Sequence, residues 1–134
     1  MAPQPPLLLL VEDTLPVARA LIRRAETLGW KVVFADSLDA ARALVGRVTF
    51  DAWVLDRSLG VDEGMALVRE HDRAEKTGLR RRRPAAVLWT SRPDEPPSDV
   101  DEYDVRVFGK TDTDAMLAHL AARLPPPLRQ GLRL

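Results

Sequence analysis

The sequence contains no cysteine among its 134 residues, and aromatic residues make up only 5% of it. The absence of cysteine excludes disulfide bonds and thiolate metal sites, and it fits a reducing compartment, so we expect a cytoplasmic protein. Net charge is also absent, because 20 basic and 20 acidic residues cancel. The whole molecule therefore has no attraction for nucleic acid or an anionic membrane. The longest aliphatic run, residues 7–11, is far short of the roughly 20 residues that cross a bilayer.

What the sequence does contain is an alternation of short aliphatic runs and segments with apolar residues at helical spacing. Hydrophobic residues make up 46% of the chain, which is enough for the core of one domain. Continuous apolar runs are typical of strands that are covered on both faces. The pattern predicts an α/β fold, a doubly wound parallel sheet with helices on both faces. The predicted strands are Leu7–Val11, Val32–Ala35, Ala52–Leu55, Ala85–Trp89 and Val105–Phe108.

The proline distribution divides the chain into three parts. Residues 1–6 contain "APQPP", which opposes a helix and predicts a flexible lead-in. Residues 7–124 hold all the predicted strands and form one domain. Residues 125–134, "PPPLRQGLRL", are interpreted as a proline-rich tail or linker stub.

Polar residues follow four of the predicted strands. Glu12 and Asp13 follow the first, Asp56 the third, Thr90 the fourth and Lys110 the fifth. Ligands of open parallel sheets bind beyond the carboxyl ends of the strands, so we expect these side chains at one edge. If the first and third strands are neighbours, three carboxylates meet and repel one another unless a cation neutralises them. Oxygen ligands of high negative charge suit Mg²⁺, particularly when a phosphate completes its shell.

This set of groups suits the attack of a carboxylate on a phosphoryl group. Asp56 would be the nucleophile, Lys110 and the cation would stabilise the developing charge, and Thr90 would donate a hydrogen bond. Any one of these residues alone is more typical of a turn or a helix cap. The agreement of four separate strand ends favours the functional interpretation.

The motifs resemble those of receiver domains of two-component response regulators, including the single-domain chemotaxis type. "LLLLVEDT" resembles the acidic pair after the first strand, and "VLDRSLGVDEG" resembles the phosphoacceptor segment, with Gly64 eight positions after Asp56. "VLWTS" resembles the hydroxyl position and "VFGKT" the lysine position. The resemblance covers residues 7–124 and implies a flavodoxin-like five-stranded sheet in the order 2-1-3-4-5.

The resemblance also implies roles for individual residues. Asp56 would be phosphorylated. Asp13 and Asp56 would bind Mg²⁺, together with the backbone carbonyl of Ser58, and Glu12 would help through water. Thr90 and Lys110 would bind oxygens of the phosphoryl group.

The partners implied are a sensor histidine kinase or phosphotransfer protein, which donates the phosphoryl group, and a downstream protein target. Such a protein is not a conventional enzyme. It catalyses only its own phosphoryl transfer and autodephosphorylation.

Three departures from the family pattern carry expectations. Val107 replaces the aromatic switch residue, and Phe108 should point to the opposite face of its strand. Thr111 replaces the proline after Lys110, and a cis bond there would cost about 3 kcal/mol, so we expect a trans bond. Residues 92–104 contain three prolines and six acidic residues, which oppose a regular helix. We expect a loop, a single turn or disorder where the family has its fourth helix.

Two other functions fit parts of the sequence. The departures favour a pseudo-receiver, an interaction module that is not regulated by phosphorylation. The run Arg80–Arg83 could bind a polyanion, although a solvated loop is the favoured interpretation and we do not expect nucleic acid as a partner. A dehalogenase-type phosphatase is disfavoured because Ser58 stands where that chemistry requires a second aspartate. Both histidines and all three tryptophans are interpreted as packing residues.

Overall fold

Five parallel strands form the main sheet of the computed structural model, which describes residues 4–133. The strands of the chain are β1 (Leu7–Val11), β2 (Lys31–Ala35), β3 (Ala52–Asp56), β4 (Ser58–Leu59), β5 (Asp62–Glu63), β6 (Ala85–Thr90) and β7 (Arg106–Gly109). β4 and β5 form a separate antiparallel hairpin. The order in the main sheet is β2-β1-β3-β6-β7. This is the predicted order 2-1-3-4-5 once the two hairpin strands are left out, so the predicted fold class is confirmed.

The helices of the chain are α1 (Leu15–Thr27), α2 (Leu38–Val45), α3 (Met65–Lys76), α4 (Thr113–Ala122) and α5 (Pro126–Arg129). Two of the helices, α1 and α2, begin at residues that the local sequence indicates. Proline in the first turn of α1 removes an N–H that would have no helical partner. Ser37 caps α2, since its Oγ accepts a hydrogen bond of 3.1 Å from the N–H of Ala40.

The helices cover both faces of the sheet and produce two core layers. In the first core layer, α1 and α4 pack against alternate strand residues such as Leu8 and Leu10. In the second core layer, α2 and α3 pack against the intervening residues, such as Leu9 and Val11. The tryptophans are core residues, as predicted: residues 30 and 89 lie in the first layer and residue 53 in the second. The three central strands, β1, β3 and β6, are buried on both sides, which explains their unbroken apolar sequence.

Residues 92–104, which we call the acidic segment, form turns and contain no helix. The expected irregularity is therefore confirmed. The segment is nevertheless packed, because Val100 and Tyr103 contact the second core layer. Arg69 on α3 also holds it, with its Nε and Nη2 donating to the two carboxylate oxygens of Asp99 at 2.6 and 3.0 Å. Ion pairs and a few apolar contacts thus occupy the place of a helix.

The last described residues fold against the end of α1. Leu128 and Leu132 pack on the first core layer, and the N–H of Arg133 donates to the carbonyl of Leu28 at 2.8 Å. Gly29 has a φ of +106°, and a Cβ there would lie 2.6 Å from the carbonyl oxygen of Gly131. Both the conformation and the close approach therefore require glycine.

The predicted lead-in and tail fall partly outside the described residues. Residues 1–3 and 134 are not described, whereas the carbonyl of Pro6 accepts a hydrogen bond of 2.9 Å from Lys31. Among residues 4–133, no helix has the length and apolar character needed to cross a membrane.

Arg83 anchors the acidic segment, and its replacement by methionine should destabilise the protein. Its side chain is 10% exposed, its Nε pairs with Asp72 at 2.9 Å, and its guanidinium also donates to the carbonyl of Tyr103. Arg83→Met leaves these acceptors without a partner and should lower the free energy of unfolding by about 3 kcal/mol. Urea denaturation measures the change. Arg81→Met is the matched control, and an equal loss in both variants would contradict the anchoring role.

Candidate functional site

Because side chains alternate along a strand, three of the predicted site residues lie on the same face of the sheet as the first core layer. Side chains two positions apart on a strand share a face. Three residues of the first core layer are each followed, two positions later, by a charged residue just at or beyond the strand end. The pairs are Leu10 and Glu12, Val54 and Asp56, and Phe108 and Lys110. The pairing of β1 with β3, of β3 with β6 and of β6 with β7 then brings the strand ends together.

The ammonium group of Lys110 lies between two of the carboxylates. Its Nζ is 3.1 Å from Oε2 of Glu12 and 3.5 Å from Oδ2 of Asp56. The same Nζ lies 5.3 Å from the centre of the Trp89 ring, so the indole forms part of the floor beneath it. No cis peptide bond occurs among the described residues, which confirms the trans bond expected between Lys110 and Thr111. Lysine thus contacts the acidic groups without the proline that usually follows it in the family.

The carboxylates of Glu12, Asp13 and Asp56 form one cluster. A ligand oxygen from each lies within 4.8 Å of the others. Glu12 has no exposed surface and Asp56 is buried, whereas Asp13 is exposed. The neighbouring strands β1 and β3 produce this cluster, as expected. Three carboxylates at this separation fit a hard divalent cation such as Mg²⁺, with Asp13 on the solvent side.

Burial raises the pKa of Glu12 to about 7, although the hydrogen bond from Lys110 opposes the rise and the charge of Asp56 adds to it. The cause is the loss of hydration around a carboxylate that has no solvent contact. Its Oε1 accepts a hydrogen bond of 3.2 Å from the N–H of Thr14. A cation bound beside it would favour the charged form, because an opposite charge at this distance stabilises a carboxylate.

Backbone groups orient the side chains of Asp56 and Thr90. The N–H of Ser58 donates to Oδ1 of Asp56 at 3.3 Å. The N–H of Arg92 donates to Oγ1 of Thr90 at 3.1 Å, so the hydroxyl proton of Thr90 is left to donate elsewhere. Thr90 ends β6 and is 5% exposed. The roles of the Thr90 hydroxyl and of the Ser58 carbonyl remain predictions.

The aromatic switch position is occupied by an apolar side chain. Val107 packs on the second core layer, whereas Phe108 packs on the first, as alternation along the strand predicts. Phe108 contacts His119 of α4, with ring centres 5.5 Å apart. Position 107 therefore carries no aromatic ring that could swing toward Thr90, and the Phe108 ring packs on the opposite face of the sheet.

Sequence reasoning missed two features of the site. The contact of Trp89 with Lys110 could not be inferred, because it depends on how β6 and β7 pair. The close approach at Gly64 was also missed: a Cβ on Gly64 would lie 2.1 Å from the carbonyl oxygen of Asp56. Its signals in the sequence were the place of Gly64 in the phosphoacceptor motif and a glycine before a helix start. Glycine here lets α3 begin directly against the end of β3.

Comparison with solved structures identifies the fold. The receiver domain of a Francisella response regulator is 15% identical with a TM-score of 0.71, covering 87% of this chain and 94% of that one. A CheY-like receiver domain from Methylobacillus flagellatus is 21% identical with a TM-score of 0.66, covering 87% and 99%. A sensor protein from Polaromonas sp. JS666 is 23% identical with a TM-score of 0.73, covering 88% and 94%.

No protein-family model and no curated protein matches the chain. The structural neighbours therefore confirm the resemblance at the level of the fold, which is that of receiver domains.

Gly64→Ala should damage the acidic site by overpacking. The added methyl group would overlap the carbonyl of Asp56, and the required shift should lower the free energy of unfolding by about 1–3 kcal/mol. Thermal or urea unfolding measures it. Gly46→Ala is the matched control, because a Cβ there meets its nearest neighbour at 3.5 Å, an ordinary contact. If Gly64→Ala left the free energy of unfolding unchanged, the contact between residue 64 and the carbonyl of Asp56 would have room for a methyl group, which would contradict the prediction.

Proposed function

We propose that the protein is a phosphoacceptor switch of a two-component phosphorelay, which accepts a phosphoryl group on Asp56 and thereby changes its binding to a protein partner. The observation that carries the proposal is the position of the Lys110 ammonium, 3.1 Å from Glu12 and 3.5 Å from Asp56 at the edge that also holds Asp13. Acidic groups and one lysine at the carboxyl edge are the parts that this reaction needs.

The reaction is a displacement at phosphorus. An oxygen of the Asp56 carboxylate attacks the phosphoryl group of the donor, a new O–P bond forms, and the bond to the leaving group breaks with its electron pair. The product is an acyl phosphate, which water later hydrolyses. Lys110 is close enough to Oδ2 of Asp56 to stabilise charge on the transferred oxygens. Glu12, Asp13, Asp56 and the Ser58 carbonyl would hold Mg²⁺, which supplies the remaining charge neutralisation.

Thr90 connects the site to the proposed output surface. Its Oγ1 accepts a hydrogen bond from the N–H of Arg92, the first residue of the acidic segment. If the Thr90 side chain rotates to bring its hydroxyl group to a phosphoryl oxygen, Oγ1 moves away from the N–H of Arg92. This bond must then reorganise, and the start of the acidic segment moves with it. Because Val107 replaces the usual ring, we assign the change in partner binding to the acidic segment.

The alternative is a pseudo-receiver that binds partners without phosphorylation. It is favoured by the packing of Val107 in the second core layer and by the absence of a helix from residues 92–104. For the phosphoacceptor switch, the donor would be a sensor histidine kinase or phosphotransfer protein, and the target would be a downstream protein. A pseudo-receiver needs no phosphodonor.

A phosphodonor experiment separates the two functions. Incubation with Mg²⁺ and a small donor such as acetyl phosphate should add the mass of one phosphoryl group. Asp56→Asn should abolish the gain, because an amide cannot act as the nucleophile. Asp36→Asn is the control, since Asp36 is an exposed aspartate that follows β2 at the same edge. No mass gain under conditions that label a known receiver domain would favour the pseudo-receiver.

Metal binding can be tested by thermal unfolding. Mg²⁺ should raise the Tm of the wild-type protein, because a ligand that binds only the folded state stabilises it. Asp13→Asn removes a carboxylate from the cluster and should remove most of this rise, whereas Asp36→Asn should keep it. A Tm rise of equal size in both variants would place the cation elsewhere.

A further inference from the structure

A cavity of about 550 Å³ opens at the opposite edge of the sheet. Its walls are the end of α2, the loop before β3 and the loop before β6, so it lies at the amino ends of the strands whose carboxyl ends carry Asp56 and Thr90. Ligand sites in proteins commonly have volumes of roughly 300–1,000 Å³. The proposed function does not use this cavity.

Arginine dominates the charge of the cavity. Its lining includes five arginines, at positions 80–83 and 123, and a single carboxylate, Asp51. That carboxylate is already engaged, because its Oδ2 accepts a hydrogen bond of 2.8 Å from the N–H of Leu7. The net charge of the whole chain is zero, so this concentration of positive charge is local.

The arginines differ in how free their guanidinium groups are. Arg83 and Arg123 pair with Asp72 and Asp104, respectively. Arg80 donates to the carbonyl of Val45 at 3.2 Å, which anchors the run across the cavity wall. Arg81 and Arg82 form no ion pair with any residue in the range 4–133. Two guanidinium groups on an anchored loop are therefore left to bind an anion.

Two buried polar atoms behind the cavity wall also lack a hydrogen-bond partner within residues 4–133. Across the described part of the chain, three buried side-chain polar atoms lack a partner, and two of them, Nε1 of Trp53 and Nδ1 of His71, belong to residues that line this cavity. Unpaired buried polar groups are uncommon in a completed core. The His71 ring stands edge-on to Trp53 with ring centres 5.3 Å apart. At the rim, Leu79 leaves an apolar side chain 80% exposed.

We propose that this cavity binds a small organic phosphate with an aromatic body, and that nucleoside phosphates are the class to test. Planar guanidinium groups bind phosphate oxygens in pairs and also stack on flat rings, which suits Arg81 and Arg82. Partly buried apolar wall residues such as Val45 and Val48 would contact the base. The volume and the mixed basic and apolar lining fit such a ligand.

An extended nucleic acid fits this surface less well than a small ligand. The neighbouring depression shares Arg82, Arg83 and Arg123 with the cavity but also presents four carboxylates, those of Asp72, Glu75, Glu102 and Asp104. A long phosphate backbone that leaves the cavity in this direction would meet negative charge. A compact anion would not.

The test uses the indole N–H signals of the full chain, which contains three tryptophans. ATP and GTP are titrated without Mg²⁺, which keeps metal-dependent binding at Asp56 out of the experiment. The Trp53 signal should shift with saturation, whereas those of Trp30 and Trp89, which lie in the first core layer, should stay. Asp56→Asn should bind as the wild type does, so failure of the proposed function would leave this result intact.

A matched pair of double variants tests the assignment to the arginines. Arg81→Gln with Arg82→Gln should weaken binding at least about ten-fold, as expected when charge-assisted hydrogen bonds are lost. Arg19→Gln with Arg23→Gln removes two positive charges from exposed positions on α1 and should leave affinity unchanged.

Four outcomes would overturn the inference. They are no saturable Trp53 shift at millimolar nucleotide, a shift that the Arg81 and Arg82 changes do not affect, inorganic phosphate binding as tightly as the nucleotides, and an oligonucleotide that binds and is not displaced by mononucleotide.

Discussion

The adjacency of β1 and β3 is the constraint on which the candidate site depends. It sets the buried carboxylates of Glu12 and Asp56 and the exposed carboxylate of Asp13 within 4.8 Å of one another. Such an arrangement opposes folding unless positive charge offsets it, and Lys110 supplies one charge from a third strand. The raised pKa of Glu12 reflects the same strain, because burial removes the water that would stabilise its charge. A bound cation would neutralise the remaining negative charge of the three carboxylates. The stability of this edge of the sheet is therefore linked to its proposed chemistry.

The acidic segment, residues 92–104, contains no helix. Where receiver domains usually have a helix before the fifth main strand, this chain has the acidic segment, which is held by Arg69, Arg83 and Arg123. Ion pairs of partly exposed groups are weaker and more easily rearranged than a packed helix. With Val107 in place of a mobile ring, the hydrogen bond between Thr90 and Arg92 is the connection that remains between site and surface. The proposed output therefore rests on polar contacts, and its response should be sensitive to salt.

The zero net charge conceals two surfaces of opposite sign. Carboxylates gather at the carboxyl edge of the sheet, and arginines gather at the amino edge around the cavity. The net charge of the chain is only the sum of these two surfaces. A net charge of zero therefore favoured the interpretation of Arg80–Arg83 as a solvated loop. The structure shows the same run lining a cavity, with Arg80 and Arg83 anchored and two residues between them free of ion pairs within residues 4–133. The two edges of one sheet thus present an acidic cluster and an arginine-lined cavity, which suit different ligands.

The sequence by itself determined the alternation of strands and helices, the irregularity of residues 92–104 and the four strand ends that carry polar residues. These depend on local properties: periodicity, proline geometry, and the position of a charge after an apolar run. The strand order came from the family resemblance rather than from a local pattern, and the structure confirms it. Only the tertiary structure decided where the Lys110 ammonium lies, that Trp89 underlies it, and that Gly64 touches the carbonyl of Asp56. It also decided that arginines of a polar loop line a cavity with Trp53. The physical reason is that these contacts join residues far apart in the chain, and their geometry is set by sheet pairing and helix packing rather than by any local pattern.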